Sequence, residues 1–273
     1  MPELPEVETL ARDLRPLLVG AKFADVEVRW PRTVALPAAE EFARQLPGHE
    51  ILDVGRRAKF LLLSLSGPCY LLIHLRMSGQ VRVEPGTTLP DNHVRLIFHL
   101  ADGRQLIFSD TRKFGRVYLL DDPSIVLGHL GPEPLADDFT VDAFADLLSR
   151  RKGALKPLLL NQRFLAGLGN IYTDEALFVA GLHPLRKADT LSGGEVRRLY
   201  AAIRQVLQRA IGNRGTTLAD GRYRDAQGQP GHNRESLLVY HRQGEPCLRC
   251  GTPIQRIVVA GRGTHFCPTC QRG

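Results

Sequence analysis

Residues 94–109 read VRLIFHLADGRQLIFS, two aliphatic and aromatic runs on either side of Ala101-Asp102-Gly103. Asp-Gly between two such runs closes a β-hairpin. Working outward, FADVEVRW from Phe23, KFLLLSL from Lys59, YLLIHL from Tyr70, QVRV from Gln80 and RVYLL from Arg116 repeat the pattern. Glycine, proline and aspartate break the chain between them. With the two arms of the hairpin they make seven strand-like runs, which predict a β-sandwich rather than a parallel α/β sheet. One helix precedes them. Pro5, Glu6 and Glu8 suit a first helical turn, Val7, Leu10, Ala11, Leu14 and Leu18 recur at helical spacing, and Gly20 ends the pattern.

Gly131-Pro132-Glu133-Pro134 reads as a linker, and beyond it the period becomes helical. FTVDAFADLLSR is one helical segment. In LSGGEVRRLYAAIRQVLQRAIG, Ser192 and Glu195 make a capping box, with Val196, Leu199, Tyr200, Ile203, Val206, Leu207 and Ala210 as the buried stripe. Between these, two apolar helical stretches flank Gly167-Leu168-Gly169-Asn170, a glycine turn aimed at a helix N-terminus where main-chain N–H groups can meet a phosphate. Residues 215–233 form a polar, glycine-rich connection too long to be a turn.

The charge is unevenly distributed. Residues 1–150 carry 17 basic and 21 acidic residues, a net of −4, whereas residues 151–273 carry 19 and 8, a net of +11. A basic C-terminal half points to a polyanion, and nucleic acid is the leading candidate. No apolar run approaches the ~18 residues of a membrane span, and the acidic N-terminus is unlike a signal peptide. The expectation is a cytosolic globular protein.

Four of the five cysteines, Cys247, Cys250, Cys267 and Cys270, are spaced C-x2-C-x16-C-x2-C. Two such knuckles supply four thiolates to one closed structural zinc, with a hairpin between them. His265 is surplus to that site. Cys69, inside CYLLIHL, reads as a core thiol.

These parts, taken with the opening MPELPEVETL, resemble the formamidopyrimidine-DNA glycosylases, bacterial repair enzymes for oxidised purines. MPELPEVETL, RRAKFLL, HLRMSG, SDTRKFGR, LGPEPL, LGNIYTDEALF and the cysteine ribbon occur in the family's order and span the chain. The resemblance implies an α+β, multi-domain architecture. An N-terminal helix and β-sandwich would occupy 1–130, a linker 131–134, a helix-two-turn-helix domain 135–240 with its loop 215–233, and a zinc finger 241–273.

It also implies roles. Once Met1 is removed, Pro2 offers a secondary amine that attacks C1′ of the damaged nucleoside and forms an iminium, or Schiff base. An α-amino group titrates near ~7.7–8.0, so a neutral fraction exists at pH 7. Glu3 is the family's general acid/base at the sugar, and Glu6 orders the terminus. Lys59 assists elimination and contacts phosphate. Met77, Arg112 and Phe114 are the residues inserted into the gap left by the flipped base. Lys113 stands where many relatives carry a second arginine. His93, Arg151, Lys156, Asn170 and Arg262 are the phosphate contacts, and Arg262, between Gly261 and Gly263, is also a proton donor for the second elimination. The implied activity is excision of 8-oxoguanine and formamidopyrimidines from damaged double-stranded DNA by a monomer, followed by β,δ-elimination. Two alternatives stand beside it: the sister glycosylase for oxidised pyrimidines, and a non-catalytic zinc-ribbon protein that binds damaged DNA.

Overall fold

A computed structural model describes residues 1–272. In chain order the elements are α1 (Leu4–Leu18), β1 (Phe23–Val28), β2 (Val34–Leu36), α2 (Ala39–Gln45), β3 (Ile51–Arg57), β4 (Phe60–Leu65), β5 (Cys69–His74), β6 (Gly79–Pro85), β7 (Val94–Leu100), β8 (Arg104–Asp110) and β9 (Arg116–Leu120). There follow α3 (Ser124–Leu127), α4 (Val141–Ser149), α5 (Leu155–Leu160), α6 (Asn170–Ala180), α7 (Gly193–Gly212), β10 (Gln255–Val259) and β11 (Arg262–Phe266).

The chain forms two compact units. The first comprises residues 1–129 and 213–234. Its strands build a four-stranded sheet in the order β1-β7-β8-β6 and a five-stranded sheet in the order β2-β9-β5-β4-β3. All pairs are antiparallel except β2 with β9. Between the faces lies one core that includes Leu61, Leu63, Leu71, Ile73, Phe98, Phe108 and the inner face of α1. Each such side chain removed from water contributes about 1.5–3 kcal/mol. The β7–β8 hairpin pairs His99 with Gln105, and Gly103, at φ 85°, makes the αL turn that an L side chain resists. Cys69 is buried as a free thiol.

Residues 213–234 fold with the sandwich, although in sequence they connect helix to ribbon. Tyr223 and Ala226 sit in the sandwich core. The Arg214 guanidinium donates to Asp13 and Asp225, each at 2.6 Å, which pins the segment to α1.

The second unit comprises residues 130–212 and those from 235 onward. α7 starts at the reciprocal cap: Ser192 N–H donates to Glu195 at 2.8 Å, and Glu195 N–H to Ser192 Oγ at 3.3 Å. Its buried stripe differs from the sequence pattern at two places: Ala202 is buried as well, and Tyr200 is only part-buried, its hydroxyl donating to Phe139 O. β10 and β11 form the ribbon hairpin, and Val259 pairs with Arg262 across Ala260-Gly261. Both turn residues have positive φ, the requirement of a two-residue type I′ turn. Among the described residues no helix is long and apolar enough to cross a membrane.

Candidate functional site

In the first unit, Pro2 and Glu3 are buried, while Met1 is 40% exposed. A chain terminus ordinarily frays unless it is tied down. Here α1 begins directly behind Glu3, and the Glu6 carboxylate bonds two main-chain N–H groups, that of Glu3 at 2.7 Å and that of Thr216 at 2.8 Å. Glu6 itself is 1% exposed, so these bonds replace the water it has lost.

Lys59 lies at the β3–β4 turn, where Ala58 takes φ 53°. The turn is braced by Arg56, which donates to Ala58 O at 2.9 Å and to Glu8 at 3.1 Å. Lys59 is buried. Nearby His74 is buried and accepts the N–H of Arg76 through Nδ1 at 3.0 Å. Burial, reinforced by the cations of Arg76 and Lys59, holds its imidazole down to about 3, so it stays neutral.

Met77 is half-buried on the turn before β6, and Arg112 and Phe114 project from the β8–β9 loop. Phe114 is 48% exposed, unusual for a phenylalanine, with the Arg112 guanidinium 4.8 Å from its ring centre. Lys113 lies 4.0 Å over the Trp30 ring, so its charge rests on an aromatic face. His93 is exposed on the approach to β7.

In the second unit Asn170 opens α6. Its Nδ2 donates to Gly263 O at 2.9 Å, and its buried Oδ1 has no hydrogen-bond partner among the described residues. Asn170, Tyr240, His241, Arg256, Gly263 and His265 line a cleft of about 420 Å³. Arg262 is exposed beside the hairpin turn, and Arg151 is exposed after α4. Lys156 differs from the expectation of an open phosphate contact. Its side chain has no exposure, and its ammonium is held by the equally buried Asp174, because a cation taken out of water needs a counter-charge. Asp174 also accepts the main-chain N–H of His265 at 2.9 Å. Its neighbour Glu175 accepts the N–H groups of Leu238, Val239 and Tyr240 at 2.8–2.9 Å. Burial pushes the Glu175 carboxyl up, against the opposing pull of those three donors.

The sulfurs of Cys247, Cys250, Cys267 and Cys270 lie within 4.8 Å of one another. Cys247 to Cys270 is 3.9 Å and Cys250 to Cys267 is 3.5 Å. Disulfides need ~2.05 Å, whereas four thiolates at ~2.3 Å from a tetrahedral zinc stand about 3.8 Å apart. The donor set therefore fits one structural zinc.

Three family models match successive parts of the chain: the formamidopyrimidine-DNA glycosylase N-terminal domain over residues 1–117, the H2TH domain of the same glycosylases over 130–220, and a zinc finger found in FPG and IleRS over 244–273. The formamidopyrimidine-DNA glycosylase of Herpetosiphon aurantiacus is 50% identical, with 99% of this chain and 100% of that one covered. The chain belongs to the formamidopyrimidine-DNA glycosylase family. Wild-type Lactococcus lactis Fpg bound to N7-benzyl-Fapy-dG DNA superposes at a TM-score of 0.92, with 39% identity and full coverage of both chains. The same Lactococcus lactis protein on DNA containing an oxidised pyrimidine gives 0.91 at 38% identity, again covering both chains in full.

This glycosylase thus carries its candidate residues in two sets. The sandwich unit holds Pro2, Glu3, Glu6, Lys59, Met77, His93, Arg112 and Phe114. The helical and ribbon unit holds Arg151, Lys156, Asn170, Arg262 and the cysteines. Sequence reasoning missed the buried acids Asp110, Asp174 and Glu175, along with His74. The residue type of an acid carries no sequence mark of its burial.

Proposed function

We propose that this base-excision repair glycosylase removes oxidised purines from duplex DNA through the amine of Pro2, and then cleaves the strand as an AP lyase. The observation that carries the reading is the buried Pro2-Glu3 terminus with Glu6 holding the main chain of Glu3. Such order at a chain end serves a nucleophile that must meet C1′ in one orientation.

With Met1 removed, the Pro2 lone pair attacks C1′ and the glycosidic bond breaks, its electron pair leaving with the base. Glu3 handles the proton as the sugar ring opens. The resulting iminium draws electrons from C2′, so loss of a C2′ proton expels the 3′ phosphate. A second elimination expels the 5′ phosphate. Lys59 supports these eliminations. Met77, Arg112 and Phe114 fill the gap left by the extruded base, where an apolar side chain and an exposed ring offset the lost stacking.

Asn170, Arg262, Arg151 and His93 take backbone phosphates, Asn170 with the N–H groups that open α6. Lys156, buried against Asp174, supports the start of α6 instead of presenting an open cation. The zinc supplies no chemistry; it fixes the ribbon that carries Arg262. Such a protein works in the cytoplasm, at the nucleoid.

Borohydride trapping tests the reading. Duplexes carrying 8-oxoguanine opposite cytosine should give a covalent adduct at a higher rate than duplexes carrying thymine glycol. The reverse order would assign the chain to oxidised pyrimidines, a lesion class also present in one solved complex of the Lactococcus lactis protein. No adduct on either would leave only a binding role.

A further inference from the structure

We infer that Asp110 is a positioning residue that locks the two base-displacing loops of the sandwich unit into one rigid device. This rests on the proposed role of Met77, Arg112 and Phe114. Asp110 ends β8 and is 1% exposed. Among the described residues no cation lies within ion-pair distance of its carboxylate; four donors balance it instead. Oδ1 accepts Ser78 Oγ at 2.5 Å and the main-chain N–H of Arg112 at 3.1 Å. Oδ2 accepts the main-chain N–H groups of Phe114 at 2.8 Å and Gly115 at 2.7 Å.

Each oxygen therefore grips a different part of the device. Ser78 follows Met77, and its Oγ also accepts the N–H of Arg112 at 3.2 Å, so the Met77 turn and the Arg112 loop share one carboxylate oxygen. The other oxygen holds the far side of the loop, on both sides of the Phe114 carbonyl. The Asp110 main chain adds a third segment: its N–H donates to His93 O at 2.8 Å, and its carbonyl accepts Arg95 Nε at 2.8 Å.

The local sequence is fitted to this closure. A Cβ on Gly115 would stand 2.3 Å from the Phe108 ring and 3.2 Å from Asp110 Oδ2, so the loop reaches the carboxylate only with glycine there. Lys113 takes φ 60° at the bend, and its ammonium rests on Trp30. The loop tip is exposed while its base is held by buried and part-buried hydrogen bonds. That arrangement keeps Phe114 and Arg112 presented before DNA arrives, so binding does not also have to order them.

Asp110→Asn retains an acceptor for one side and turns an NH2 towards the N–H groups of Phe114 and Gly115 (or, flipped, towards Arg112). Ser78→Ala removes only the link to the Met77 turn. For Asp110→Asn, single-turnover excision of 8-oxoguanine should fall about tenfold, the effect of leaving buried donors unpaired. Cleavage of a preformed abasic site should stay near wild type. Because Asp110 acts through Phe114, the Asp110→Asn/Phe114→Ala pair should lose no more excision than the worse single variant.

A double variant whose losses multiply, or Asp110→Asn impaired equally on both substrates, would overturn the inference. Phe114→Ala with unchanged preference for lesion over abasic DNA would instead sink the reading it rests on. If Asp110→Asn melts early and fails on abasic DNA too, Ser78→Ala decides: a few-fold selective loss of excision supports the lock, and wild-type behaviour rejects it.

Discussion

Glu6 ties Thr216 to the chain terminus: one carboxylate oxygen accepts the Thr216 N–H at 2.8 Å, while the other accepts the N–H of Glu3 at 2.7 Å. Both acceptors are needed at once. Glu6→Gln keeps the size but presents an NH2 to one of the two N–H groups. The unpaired, buried donor should cost about 1–3 kcal/mol. Urea denaturation should register that loss, and amide exchange at Thr216 or Glu3 should accelerate. Unchanged exchange at both positions would show that the bridge is not what orders the terminus.

Asp174 is the corresponding anchor in the second unit, facing Lys156 and the main chain of His265. Removing one member of a buried ion pair leaves an uncompensated charge, typically ~3–5 kcal/mol. Asp174→Asn should therefore be strongly destabilising. The double variant Lys156→Met/Asp174→Asn should recover part of the loss, because no bare charge remains. Thermal melting of the three proteins checks this, and a double variant worse than the sum of the singles would contradict it.

The ribbon should fail without its metal. The protein should carry one zinc per chain, and Cys250→Ser should lose it and disorder the hairpin that bears Arg262. Structural zinc is worth about 10–16 kcal/mol in isolated finger peptides at pH 7. Affinity for damaged duplex should collapse while the circular dichroism of the sandwich strands persists. Metal-free protein with normal affinity would show that the ribbon folds without zinc.

His74 should make stability depend on pH. Its imidazole is held down to about 3 from an ordinary value of 6.5, by burial first and then by the Arg76 and Lys59 cations. Between those values the unfolded chain binds a proton that the folded chain refuses. Stability should therefore rise with pH from about 3 to 6.5 and level off above. His74→Asn should flatten that slope between pH 4.5 and 7, measured as the urea midpoint. A slope identical to wild type would assign the dependence to other groups.

Much of the fold was legible because its signals are local. The Ala101-Asp102-Gly103 turn, the Ser192–Glu195 cap and each of the two Cys-x2-Cys knuckles sit within a few residues and appear where the sequence places them. β3 was missed: Asp53 and Gly55 interrupt its apolar pattern, and Arg56 and Arg57 end it, yet pairing along β4 makes it a strand. Short β2 and α2 were missed as well, having too few residues to show a period. The packing of residues 213–234 with the sandwich was illegible because it depends on Arg214 meeting Asp13, about 200 residues away in sequence. Lys156 reads as a surface cation for the same reason: its partner Asp174 lies on another helix.

The roles of Pro2 and Glu3 should separate by substrate. Pro2 is the proposed nucleophile for every substrate, so blocking its amine, or retaining Met1, should abolish the borohydride adduct on lesion and abasic DNA alike. Glu3 is proposed to move protons while the base departs and the ring opens. An abasic site has already lost its base and exists partly as the open aldehyde, which an amine attacks with less help. Glu3→Gln keeps the shape of a side chain in a buried setting but removes its ionisation. It should slow 8-oxoguanine excision by at least the ~10²-fold of a lost general acid/base, and abasic cleavage far less. Mass spectrometry of the trapped peptide should place the adduct on the Pro2 nitrogen. An adduct on Lys59 would move the nucleophile to that turn, and equal losses for Glu3→Gln on both substrates would mean that Glu3 serves the amine rather than the departing base.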